Sequence, residues 1–160
     1  MEIPATDRLL HAHGFATDTP AHLRALTGDD AAAREAAVDH LATSVIHEGT
    51  PWPATGPVAA YVAHLVETRA TDEDVHEALL DFLAEVADAV EIAEEDGGET
   101  QQRADLAELG RDLDAELALV HSAKDLELQF VDEEFADLVL THAYLGVLSA
   151  APSVRRALGN

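Results

Sequence analysis

The chain has 160 residues, enough for one continuous core and too few for two independent ones. Its 32 acidic against 9 basic residues give a formal net charge of −23, which excludes direct binding to nucleic acid or to an anionic membrane, because both need Lys and Arg against phosphate. There is no cysteine, so a disulfide framework and a thiolate metal site are both excluded, and aromatics at only 4% predict close Ala, Leu and Val packing rather than a large pocket.

Residues 4–13 read as a short helix carrying Leu9 and Leu10 and ended by Gly14. Thr17 to Pro20 then supply a cap and a first-turn proline for a helix through Leu23 and Leu26. Gly28 suits a left-handed helix end, and Asp29 or Asp30 can accept from the free N–H groups that begin the next helix. In Ala31 to His47 the apolar residues Val38, Leu41, Val45 and Ile46, with Ala37 and Ala42, recur at the three-and-four spacing of a helix with one buried side. So short a turn before it forces the two helices to lie adjacent and antiparallel. From His47 to Pro57 the helix stops: Gly49 permits positive φ, and Pro51 and Pro53 bar continuation, with Trp52 between them as a plug between helical hairpins. Thr55 or Gly56 caps the following helix, which holds Pro57 in its first turn and buries Val58, Tyr61, Val62, Leu65 and Val66.

The run HEGTPWPAT, preceded by LRALTGDDAAAREAAVDHL and by HAHGFATDTP, resembles a group of bacterial HEAT-repeat-like proteins with a His-x-Gly-Thr-x-aromatic-x-Ala-Thr turn after a helical hairpin. The resemblance covers about residues 9–68, with Glu48 in place of Gln and His13 in place of Tyr, and returns in the closing PSVRRAL, which looks like the start of a repeat's second helix. Some relatives in that group are proposed to neutralise toxins. The resemblance therefore implies a binding scaffold with no defined activity.

Thr71 opens a long helix whose buried stripe is Val75, Leu79, Phe82, Leu83, Val86 and Val90. Its other side carries Glu73, Asp74, Glu77, Asp81, Glu85, Asp88, Glu91 and Glu95, with no basic residue among them. Like charges three and four apart repel, each pair costing roughly 0.2–0.5 kcal/mol, so so many together need either a salt-rich setting, GC-rich coding or a partner to account for them. EEDGGET at 94–100 reads as a flexible loop, followed by one helix with Leu106, Leu109, Leu113, Leu117 and Val120 on its core face. Leu126, Leu128 and Phe130 alternate as in a strand, but a lone strand has nothing to pair with, and residues 122–132 read as a packed linker. A final helix spans about 132–150 through Phe135, Leu138, Val139, His142, Leu145 and Leu148, is interrupted at Pro152, and is followed by a short one with Val154 and Leu158.

The expected fold is all-α: a short, irregular HEAT-like α-solenoid of about six to eight helices in one domain. Its parts are an N-terminal cap at 1–28, the hairpin and Trp turn at 29–69, the acidic helix at 71–95 and the C-terminal helices at 100–160. Of the nine histidines, His11 and His13 form a short motif and His40 and His47 can share a helix face, but no ligand spacing of the His-Glu-x-x-His kind occurs, so no metal or other cofactor is expected. There is no phosphate loop and no nucleophile motif, and no catalytic residue is assigned. His47, Gly49, Thr50, Trp52 and Thr55 are the most motif-like cluster, and each residue already has a turn, cap or packing role. No basic segment followed by an apolar run occurs in MEIPATDRLL, and no stretch reaches the roughly 20 apolar residues of a membrane span, which predicts a cytoplasmic protein. The predicted function is a non-enzymatic scaffold that binds a basic protein through Glu77, Asp81, Glu85, Asp88, Glu91 and Glu95, as a toxin-neutralising or nucleic-acid-mimicking inhibitor would. The alternatives are a structural assembly subunit and a helical-repeat enzyme or enzyme accessory; the oligomeric state is left open.

Overall fold

In the computed structural model, which describes residues 1–160, the chain begins with a tight antiparallel hairpin instead of the helix expected over 4–13. Strands β1 (Leu10–His11) and β2 (Gly14–Phe15) pair Leu10 with Phe15 and His11 with Gly14. Tertiary partners outcompete the local helix here. Ala12 N–H donates to Ser44 O at 2.9 Å, Ala54 N–H to Leu10 O at 3.0 Å, and the buried Thr6 hydroxyl to Ala16 O at 2.7 Å.

Helix α1 (Thr19–Ala25) has Pro20 in its first turn, as expected. Asp30 caps α2 (Ala31–His40), accepting from Ala32 and Ala33 N–H at 3.0 and 3.2 Å. Gly28 does not adopt the left-handed conformation foreseen for it; Arg34 Nη1 caps its carbonyl at 2.8 Å instead. The helix expected to reach His47 changes after His40 into a π segment (Leu41–Val45) and then strand β3 (Ile46–His47). Across this change of helix His40, Leu41, Ser44, Val45 and Ile46 are buried, while Val38 is only half-buried and Ala42 is exposed.

The anticipated helix stop is thus a second hairpin, β3 with β4 (Thr50–Pro51), pairing Ile46 with Pro51 and His47 with Thr50. Glu48 and Gly49 have φ of 49° and 79°, the two consecutive positive values that a two-residue type I′ loop requires. Helix α3 (Thr55–Glu67) follows at once and buries Val58, Tyr61, Val62, Leu65 and Val66 as expected. Its cap position is Ala54, and Thr55 serves differently: its buried hydroxyl donates to Val45 O at 2.6 Å and accepts from Trp52 N–H at 2.7 Å, tying the hairpin to the helix.

Helix α4 (Glu73–Glu95) buries the whole predicted stripe, with Asp72 rather than Thr71 as its cap, accepting from Val75 N–H at 2.9 Å. The foreseen loop at 94–100 shrinks to Asp96 and Gly97 before α5 (Gly98–Leu109). The next helix is not continuous: α5 ends before Gly110, and α6 (Leu113–Leu117) restarts under an Asp112 cap. Residues 122–132, expected as a packed linker, instead hold helix α7 (Ala123–Phe130), whose N-terminus is capped by Ser122 accepting from Asp125 N–H at 3.1 Å. Leu126 and Phe130, four apart, make its inner side, and Leu128 is 63% exposed, so the apparent alternation does not mark a strand.

Helix α8 (Glu133–Ala157) runs unbroken through Pro152, where an interruption is expected; the proline is exposed, leaving the missing backbone hydrogen bond on the outer side. Continuity makes this 25-residue helix long and apolar enough, by length and composition, to cross a membrane, a run that the sequence reading does not find. Here it is the central helix, packed against α3, α4, α5 and α7. The fold is mostly helical, with eight α-helices and four two-residue strands. The C-terminal part of α8, with Val147, Ala151 and Val154, enters a large core shared with α1 to α4. Its N-terminal part, with Phe135, Leu138 and Val139, enters a smaller one with Leu10, Leu113, Leu117, Val120 and Leu126. Where α3 crosses α8, Gly56 meets Gly146 so closely that a Cβ on Gly56 would stand 2.3 Å from Gly146 O.

Candidate functional site

Two features stand out, and the first is the outer side of α4. All of Glu73, Asp74, Glu77, Asp81, Glu85, Asp88, Glu91 and Glu95 are exposed along its 23 residues, because the opposite side is held against α2, α3, α5 and α8. None of the eight makes an ion pair. The arginines that do pair choose other acids: Arg34 with Asp72, Arg103 with Glu99, Arg111 with Glu116, Asp132 and Glu134, Arg155 with Glu94, and Arg156 with Glu67. Ile92, 52% exposed, lies among these carboxylates, one turn from Asp88 and Glu95. The structure therefore presents the six predicted contact residues together on one face.

The second is a cluster of histidines from separate elements. His11 at the end of β1 and His40 at the end of α2 are both buried, and Asp18 and Thr19 at the start of α1 lie between them. His13 N–H donates to His11 Nδ1 at 3.1 Å, so the ring proton sits on Nε2, which donates to Asp18 Oδ1 at 2.9 Å. His40 Nε2 meets the Thr19 hydroxyl at 2.8 Å, and its Nδ1 lies 3.9 Å from Asp18 Oδ2. His22 stacks on His40 at 4.3 Å between ring centroids, while His13 sits edge-on to His47 of the second hairpin at 5.8 Å. The motif pair and the helix pair singled out in the sequence thus converge, joined by His22, for which the sequence carries no signal beyond its type. His13, which departs from the resemblance, touches His47, which carries it.

His11, Asp18 and His40 bring potential ligand atoms within 4.8 Å of one another, the closeness a metal centre needs. The His13 N–H, however, consumes the Nδ1 lone pair of His11 and leaves Nε2 protonated, so that ring offers no lone pair to a cation. The arrangement is a hydrogen-bonded latch that fastens the first hairpin to α1 and α2. Burial, then the charge of His22, pushes His40 down to about 4 against the attraction of Asp18. Burial opposes ionisation of Asp18, but the His11 hydrogen bond and the charges of His40 and His11 outweigh it and hold that carboxyl below its usual range.

A pH dependence follows. His40 is depressed from 6.5 to about 4 on folding, so the unfolded chain takes up the proton first and stability falls as pH drops through that window. His142, lowered by burial, acts in the same direction. Between about pH 7.5 and about pH 5.5, before most carboxylates titrate, urea unfolding should register a loss on the order of 1 kcal/mol from His40. A His40→Phe variant should lose most of that slope; an unchanged slope would show that His40 is not the group responsible.

Trp52, expected as a plug, is half-buried at the join between the second hairpin and the smaller core, edge-on to Phe130 at 6.1 Å. No family model, curated protein or solved structure matches this chain.

Proposed function

We propose that this is a non-enzymatic binding protein whose α4 face receives a basic protein partner, the contact being made by Glu77, Asp81, Glu85, Asp88, Glu91 and Glu95. The observation that carries the reading is the eight exposed carboxylates of one helix face left without a single ion pair, while five arginines are engaged elsewhere. Self-repulsion along such a face is relieved when cationic groups arrive, and Ile92 supplies an apolar contact within a charged rim. A toxin-neutralising or nucleic-acid-mimicking inhibitor would use such a face in this way. The rigid support is a HEAT-like helical scaffold on this reading. It is favoured by two helical hairpins, α1 with α2 and α3 with α4, joined across Leu26–Asp30 and Thr68–Asp72, and by the contact of α2 with α4.

The test is the Asp81→Lys, Glu85→Lys, Asp88→Lys triple variant. None of the three is in the core, so circular dichroism should match the parent chain. Association with the isolated partner should slow by at least about tenfold, with a weaker dependence on salt, because steering acts on the encounter rate. Equal affinity for both proteins at every salt concentration would make the acidic face a solubility feature.

A further inference from the structure

The aromatic residues are few, but they are not dispersed. Phe15, Trp52 and Phe130 come together at the smaller core, with Phe135 behind Phe130 at 4.9 Å. Between the first hairpin, Trp52 and the first turns of α7 they border an open cavity of about 780 Å³, within the range of small-molecule sites. The composition predicts close packing with no such space.

The chemistry of the lining is specific. Leu10, Val120 and Leu126 complete an apolar interior with the aromatic rings. Arg8 is the single Lys or Arg of the lining, beside the rings of His11, His13 and His121 and the carboxylates of Asp7 and Glu127. Arg8 at the mouth makes no ion pair in a chain of net charge −23 and lies 5.7 Å over the Phe15 ring. Ser122 and Ala123 border the same space at the positive end of α7. Asp7 and Glu127 stand at the mouth as well, so a ligand with several negative charges would be repelled and one with a single charge tolerated.

We propose that this cavity binds a small monocarboxylate with an apolar body, its head at Arg8 and its tail among Phe15, Trp52, Leu126 and Phe130. The proposal is independent of the acidic-face reading, since no residue of α4 lines the cavity. Trp52 is the chain's single tryptophan, so its emission reports this site alone.

The experiment titrates the intact protein with octanoate, 1-octanol and octylammonium, following heat and Trp52 emission together. Octanoate should give a saturable emission change with matching heat and should bind more tightly than either of the others. Arg8→Gln, a surface change, should weaken octanoate by at least about tenfold, about 1.4 kcal/mol, and Ala123→Phe should weaken it by obstructing the cavity. The proposal is overturned by no saturable binding, by heat without an emission change, by octanol or octylammonium binding as well as octanoate, or by octanoate affinity unchanged in either variant.

Discussion

Gly56→Ala should destabilise the fold by about 3 kcal/mol or more, whereas Gly146→Ala at the same crossing should change stability by no more than about 1 kcal/mol. The asymmetry is geometric. A Cβ on Gly56 would meet Gly146 O at 2.3 Å and Gly146 C at 2.4 Å, both backbone atoms of α8, so neither can turn aside as a side chain would. A Cβ on Gly146 finds its nearest neighbour, Gly56 Cα, at 3.7 Å, an ordinary contact, and alanine is the better helix former. Helix α8 also packs on α4 and α5, so yielding to Gly56→Ala would disturb both cores. Urea denaturation of the two variants beside the parent measures the difference. Equal effects would mean that the helices can separate at this crossing without cost.

Thr55→Val should cost about 2–4 kcal/mol, because it preserves shape and removes the hydroxyl from a fully buried position. Two backbone groups lose their partners at once: Val45 O, which receives the hydroxyl proton at 2.6 Å, and Trp52 N–H, which donates to it at 2.7 Å. Thr55→Ser keeps both bonds and loses only a methyl group, worth about 1 kcal/mol. The serine variant should therefore recover most of the stability in the same denaturation assay. If valine and serine were equally tolerated, the hydroxyl would not be what joins the hairpin to α3. The result also bears on the His-x-Gly-Thr-x-aromatic-x-Ala-Thr turn, since Thr55 is its last residue.

The helices with strong amphipathic periods were legible. The buried stripe of α4, the inner side of α3, the Asp30 cap of α2 and the positive φ of Gly49 all follow from residue type and spacing. The exposed carboxylates of α4 were legible for the same reason, since fixing one side of a helix places the other in solvent. The hairpin at Leu10–Phe15 was not, because its backbone partners Ser44 and Ala54 come from distant positions in the chain. Helix α7 is not legible in residues 122–132, which read as a packed linker, because Leu126, Leu128 and Phe130 look the same in a strand and in a helix with one exposed leucine. The passage of α8 through Pro152 is not legible either, because only packing shows that the proline faces outward.

The histidine latch and the cavity illustrate the division more sharply. His11, Asp18 and His40 are adjacent because the first hairpin lies across the ends of α1 and α2, a juxtaposition that no spacing rule contains. Composition shows that aromatics are scarce, but only the tertiary fold gathers Phe15, Trp52 and Phe130 around one space. What the sequence by itself determined is local: which segments have one apolar side, which residues stop or cap a helix, and where the negative charge must lie. What the tertiary structure decided is everything that depends on contacts between distant segments: the two hairpins, the path of α8 through both cores, the tautomer of His11 and the open cavity. The physical reason is that periodicity and capping act within a few residues, whereas burial and buried hydrogen bonding are satisfied only by partners that folding brings from elsewhere in the chain.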